Sequence, residues 1–118
     1  MKRKLGIIAE CIAGADPVDT LDLMKEIGFD SFFTDAYSVE KTQRLKQKAD
    51  SLGLTYEFIH APFSGINNMW LEGDAYLDIY NGMIDAIDSA AACNVPAVIL
   101  HVSSGWDTPE INDLGLAR

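Results

Sequence analysis

The chain has 118 residues, 48% of them hydrophobic, which is enough for one domain with a real core and too apolar for a disordered segment. Eighteen acidic residues face nine basic ones, a formal charge of −9. That balance argues against a nucleic-acid backbone or an anionic membrane as partner, because both need a positive surface.

The start, Met1-Lys2-Arg3-Lys4 ahead of Leu5-Gly6-Ile7-Ile8-Ala9, superficially resembles a secretion leader. Glu10 cuts the apolar run too short for one, and a first strand over Leu5 to Ala9 explains it better. Two isoleucines in that run predict a strand buried on both faces. No stretch is long and apolar enough to span a bilayer, and a cytoplasmic location is expected. Cys11 and Cys93 form no CxxC pair and are expected to be free, buried thiols in a reducing compartment.

Asp16-Pro17 reads as a helix start, with Asp16 as cap and Pro17 at the first helical position. Leu21, Met24 and Ile27, with Leu23 nearby, form its apolar stripe, and Gly28 ends it in a left-handed conformation. Phe29 to Thr34 is the second strand. Ser38 caps a second helix with Thr42, Leu45, Ala49 and Leu52 on its apolar face, and Gly53 closes it. Lys41, Arg44, Lys46 and Lys48 read as the solvated side of that helix. Thr55 to Ile59 is the third strand, running into His60.

A longer connection covers Ala61 to Gly73, and Asp74 is expected to cap the third helix. Tyr76, Tyr80, Met83, Ile84, Ile87 and Ala91 share one face at helical spacing, with Asp78, Asn81, Asp85 and Asp88 on the other. Gly82 inside this helix costs about 1 kcal/mol, which points to close packing against a neighbour. Asn94-Val95-Pro96 breaks the helix, and Ala97 to Leu100 is the fourth strand. Thr108-Pro109-Glu110 could open one more helix.

Strand-helix alternation of this kind implies an α/β fold, with parallel strands joined by right-handed crossovers. A small open α/β domain would add a fifth strand, and a parallel barrel needs eight such units and about 250 residues. The chain is therefore expected to be one incomplete piece of a larger fold. The alternative is a natural miniature that completes itself by pairing with another copy.

His60 and His101 end the third and fourth strands, where parallel strands present side chains to a shared mouth. Simple alternation puts Tyr56, Phe58 and His60 on one face of strand three, and Ala97, Ile99 and His101 on one face of strand four. Imidazole at such a place can ligate a metal, move a proton or hydrogen-bond a substrate hydroxyl. Its bland alternative is a satisfied polar residue at a strand end. Two histidines do not make a zinc site, which takes three or four protein ligands. Glu10 and Asp35, at the ends of strands one and two, could add carboxylates, or simply bond their own loops. Phe63, Trp70 and Trp106 lie in loops at the same end and could wall a sugar pocket or anchor those loops. Ser103, Ser104 and Gly105 form a small turn able to hold a hydroxyl or phosphate.

His60-Ala61-Pro62-Phe63 closing strand three and Val98-Ile99-Leu100-His101 forming strand four together resemble the xylose isomerase-like TIM barrel superfamily. The Gly6-Ile7-Ile8 opening and the Gly28-Phe29-Asp30 lead into strand two are similar to it as well. That superfamily includes sugar and sugar-phosphate isomerases and epimerases, and nucleases of the endonuclease IV type. The resemblance implies a partial (β/α)8 TIM barrel, about the first four parallel strands and three helices. Residues 1–118 would then be a single incomplete domain, the amino-terminal part of such a barrel.

It also implies a divalent metal (Mn, Mg, Zn or Co) in the complete barrel, which this stretch need not hold alone. In the nuclease branch the histidines matching His60 and His101 are zinc ligands. In the isomerase branch they lie near substrate, and the main metal ligands and the proton-moving Glu pair belong to later strands. The expected function is thus that of a sugar or sugar-phosphate isomerase or epimerase, working by metal-assisted proton transfer next to a carbonyl. His60 and His101 are the catalytic candidates, and Glu10, Phe63, Trp70 and Trp106 the substrate-binding ones. One alternative is an endonuclease IV-like phosphodiesterase with His60 and His101 as metal ligands, disfavoured by the acidic balance. The other is a non-catalytic piece that assembles, as a homodimer or larger, through exposed barrel edges.

Overall fold

Among the described residues, two of the three helices begin and end where the sequence supplies partners for their orphan backbone groups. A computed structural model describes residues 3–105. In α1 (Pro17–Ile27) the Asp16 side chain accepts from the Val18 amide, and the Gly28 N–H returns to the Met24 and Lys25 carbonyls at a φ of 105°. In α2 (Val39–Leu52) the Ser38 side chain accepts from the Lys41 amide, and Gly53 closes the helix with a φ of 65°. The third helix, α3 (Asp74–Ala92), departs from the expectation: Gly73 is the cap residue, no side chain serves it, and Asp74 is the first helical residue. An acid in the first turn still favours the positive helix end.

The strands β1 (Gly6–Ile8), β2 (Ser31–Asp35), β3 (Thr55–His60) and β4 (Val98–Ile99) form one parallel sheet in chain order. On the helix side Phe32, Tyr56 and Ile59 join Leu21, Met24, Leu45, Ala49, Ala86 and Ala90 in the main core. The Phe32 and Tyr56 rings stack 4.5 Å apart, and the Tyr56 hydroxyl bonds the buried Thr34 hydroxyl. On the other face Phe33 stacks on Phe58 at 4.5 Å.

This arrangement corrects the simple alternation along β3. The β2–β3 register shifts between Phe32 and Phe33, so that Phe32 pairs with Tyr56 and Phe33 with Phe58, skipping Glu57. The bulge sends Tyr56 to the core side, while Phe58 and His60 keep the opposite face.

Other expectations also shift. β1 is exposed to half-buried rather than covered on both faces, since it is an edge strand among the described residues. In α1, Leu21 and Met24 are buried, but Ile27 is 65% exposed and Leu23 is exposed as well. Thr20 turns inward instead, its hydroxyl donating to the Ala9 and Pro17 carbonyls at 2.7 and 2.8 Å.

In α3 the buried residues are Ile79, Met83, Ala86, Ser89 and Ala90. Of the face expected from sequence only Met83 is buried, while Tyr80, Ile84 and Ile87 are exposed. Apolar residues occur on both sides of this helix, and the small Ala86, Ser89 and Ala90 let it sit close to the sheet. Gly82 does serve close packing, because a Cβ there would lie 3.3 Å from Pro62 Cγ.

The connection after β3 contains a 3-10 turn over Ile66–Trp70 that the sequence did not announce. Ile66, 1% exposed, anchors it against Ile79 and Met83 of α3. Three of the four basic residues of α2 meet carboxylates: Lys46 reaches Asp50 at 2.6 Å, Lys48 reaches Asp22 of α1 at 2.8 Å, and Lys41 lies 4.0 Å from Asp16. Cys93 is buried as expected, but Cys11 is exposed, and both are free. No helix among the described residues is long and apolar enough to cross a membrane. Trp106 and Thr108-Pro109-Glu110 lie outside the described residues.

Candidate functional site

Parallel strands deliver the residues at their carboxyl ends to one side of the sheet. Glu10 follows β1, Asp35 ends β2, His60 ends β3, and His101 follows β4. The ladder register sets Asp35 beside His60, and His60 beside Ile99.

The two imidazoles meet. His60 Nε2 lies 2.9 Å from His101 Nε2, with ring centroids 4.9 Å apart and planes at 44°. His60 Nδ1 lies 2.9 Å from the Ala61 carbonyl oxygen. A carbonyl can only accept, so His60 carries its proton on Nδ1 when the ring is neutral. Its Nε2 is then a lone-pair acceptor, and His101 must donate from Nε2. The pair therefore offers one donor and one acceptor at a single point. Phe63, 43% exposed, sets its ring edge-on to His101 with centroids 4.8 Å apart. A cavity of about 390 Å³ opens beside the pair, lined by Asp35, Ala36, His60, Pro62 and Phe63 among others. A larger one of about 600 Å³ lies outside it, between Tyr37–Val39 and α3, and holds no imidazole.

The other candidates take different places. Glu10 Oε1 accepts from the Asp35 amide at 3.3 Å. Burial first, then hydrogen bonding to Glu10 and the charges of Glu10 and Asp35, raises the Tyr37 phenol well above its ordinary pKa. Glu10 thus links the ends of β1 and β2, and none of these contacts reaches an imidazole. Trp70 donates from Nε1 to the Val102 carbonyl at 2.7 Å, which ties its ring to the segment after β4. Trp106 lies outside the described residues.

Asn67, in the connection after β3 and not among the residues expected at the site, accepts from the Ser104 amide at 2.8 Å and donates to Ser104 Oγ at 2.9 Å. Ser103 Oγ accepts from the Gly105 amide at 3.2 Å, a bond within the turn that adds to those from Asn67.

Among the described residues no three His, Cys, Asp or Glu side chains gather closely enough to hold a metal ion. Two imidazole nitrogens fall short of the three protein ligands of a catalytic zinc site, so these donors do not fit a metal by themselves. What the pair can do is hydrogen-bond, and hold or pass a proton.

No protein-family model and no curated protein matches the chain. Solved structures do. A D-psicose 3-epimerase from Clostridium cellulolyticum H10, determined with D-tagatose, is 17% identical and superposes with a TM-score of 0.71, over 98% of this chain and 45% of its own. A xylose isomerase domain protein from Planctomyces limnophilus is 17% identical with a TM-score of 0.66, over 93% of this chain and 45% of its own. The chain thus spans less than half the length of these solved proteins. At such identity the likeness concerns the backbone, and the backbone agrees with four strands laid down in chain order behind three crossover helices. The chain has the fold of part of a TIM barrel, with four parallel strands and three helices among the described residues.

Proposed function

We propose that the chain forms the amino-terminal, substrate-facing part of a sugar or sugar-phosphate isomerase or epimerase. The observation that carries this reading is the contact between His60 and His101 at the carboxyl ends of β3 and β4. One Nε2 accepts and the other donates, and a hydroxyl both donates and accepts, so a sugar hydroxyl inserted between them would satisfy both rings. The exposed Phe63 ring adds an apolar wall suited to the C–H face of a sugar. The superposition on a sugar epimerase supports the same reading.

In such a reaction a base, supplied by neither histidine, takes the proton from the carbon next to a carbonyl. The C–H bonding pair moves to make the enediolate with its charge on the carbonyl oxygen, and the protonated base returns the proton to carbon. His101 Nε2–H would donate to that developing oxyanion, while His60 Nε2 would accept from the neighbouring hydroxyl. The metal-assisted form of this chemistry needs donors beyond these two nitrogens. The roles given to the histidines do not depend on it.

A titration of the chain with a ketohexose, observed through the imidazole NMR signals, tests the proposal. Saturable shifts are expected at His60, His101 and Phe63, with H60Q and H101Q each removing them. Ketose interconversion is assayed in parallel on the chain and on any longer protein that carries it. Shifts confined to the cavity between Tyr37–Val39 and α3, or none at all, would overturn the reading.

A further inference from the structure

β4 has two residues, so the ladder alone cannot place His101, which lies two positions beyond it. The last bond of the ladder to that strand is from the Ala61 amide to the Ile99 carbonyl, at 3.0 Å. Past Ile99, side chains take over. Trp70 Nε1 holds the Val102 carbonyl at 2.7 Å, and the Asn67 amide group holds both the backbone N–H and the hydroxyl of Ser104. His101 is thus bracketed by Ile99 on one side and by Val102 and Ser104 on the other.

Both holding residues come from the 3-10 turn Ile66–Trp70. Such a turn has three residues per revolution, so positions 67 and 70 project from the same side. The turn in turn rests on α3 through buried Ile66, against Ile79 and Met83.

We infer that Asn67 and Trp70 are positioning residues: a two-point clip that sets His101 against His60. The inference rests on the reading of the imidazole pair as the site, and it deepens that reading. Neither residue touches the imidazoles' reactive nitrogens through the bonds described. Each acts through the backbone of the segment that carries His101. Phe63 adds an edge-on ring contact to His101, with no hydrogen bond.

The test compares the unsubstituted 118-residue chain with N67A/W70F, N67A, W70F and N67D. Long-range ¹H–¹⁵N spectra report the imidazole tautomers, and cross-relaxation between ring protons reports the contact. In N67A/W70F the His60–His101 cross-peaks are expected to be lost, and His101 to pass from one Nε2–H tautomer to a mixture. The Ile66 and Met83 methyl signals should stay in place, which a general loss of structure would not allow. N67D keeps an acceptor for the Ser104 amide and a second oxygen for its hydroxyl, and should retain the contact.

Unchanged His101 signals in the double variant overturn the clip. If that variant does not fold, the single ones decide: weakened cross-peaks in each support it, and unsubstituted-like peaks in both overturn it. Absence of the ring contact in the unsubstituted chain removes both the clip and the site. A ring contact that answers to Asn67 and Trp70 in a chain that binds no ketohexose upholds the clip and removes only the sugar reading.

Discussion

At the scale of single residues, two positions show what the sheet demands. Gly6 and Ser31 face each other in the β1–β2 ladder, and a Cβ on Gly6 would lie 2.6 Å from Ser31 Oγ. Ser31 is buried, so its hydroxyl has little room to turn away. G6A is expected to destabilise by about 1–3 kcal/mol, as overpacking does. Removing the hydroxyl should relieve the clash, so G6A/S31A should recover most of the loss. Denaturant midpoints for the full cycle measure this coupling, and strictly additive effects would refute it.

Tyr56 gives the second signature. Burial above all pushes its phenol up to about 12, although the hydrogen bond with Thr34 works the other way. The native state therefore keeps the proton that the unfolded chain releases near pH 10. The stability tied to the neutral phenol is complete below about pH 10 and falls as the pH climbs to about 12, by about 2–3 kcal/mol. Urea titrations across that window should show the decline, and Y56F should flatten it. Tyr37, raised in the same direction, would supply the slope that remains.

At the scale of elements, the parts fixed by local chemistry were legible in the sequence. Asp16-Pro17, Ser38, Gly28 and Gly53 mark helix ends because a cap or a left-handed corner needs that residue type and little else. His60 and His101 were legible for a similar reason: parallel strands bring their carboxyl ends to one end of the sheet, although the final placing of His101, two positions past β4, rests on loop contacts. The placement of Tyr56 was not, because nothing in Thr55–His60 announces a bulge at Glu57. The clip was not, because a 3-10 turn within a loop leaves no period to read.

The orientation of α3 differs from the face expected from sequence because apolar residues lie on both sides of the helix, and the side that carries the small Ala86, Ser89 and Ala90 turns inward. That claim has a test. Ala86 is fully buried, so A86L should overpack the sheet contact and cost about 1–3 kcal/mol. Ile87, one position on, is exposed, and at dilutions that keep the chain monomeric I87Q should stay within about 0.5 kcal/mol. The opposite ranking by chemical denaturation would restore the face read from sequence.

At the scale of the whole molecule, the same stripe becomes a liability. Tyr80, Ile84 and Ile87 of α3 are exposed, and Ile87 continues into a shallow apolar cavity with Ala91, Pro96 and Leu100. Parallel sheets are stable when covered on both faces. Here Ile99 is exposed, Phe33 and Phe58 are only half-buried, and β1 and β4 each pair on one side only among the described residues. These surfaces would gain from burial against another copy of the chain, while a charge of −9 on each copy would oppose it. The balance has a definite sign with salt. Raising ionic strength from 0.1 to 1 M shortens the screening length from about 10 to about 3 Å, weakening repulsion and leaving apolar burial in place. Sedimentation equilibrium at micromolar concentration should therefore find at least a dimer, with an association constant that rises with salt and falls in I84Q/I87Q. A monomer at every salt concentration would mean that these surfaces tolerate water. Association weakened by salt would mean that ion pairs, not the α3 stripe and the open strand edges, hold the copies together.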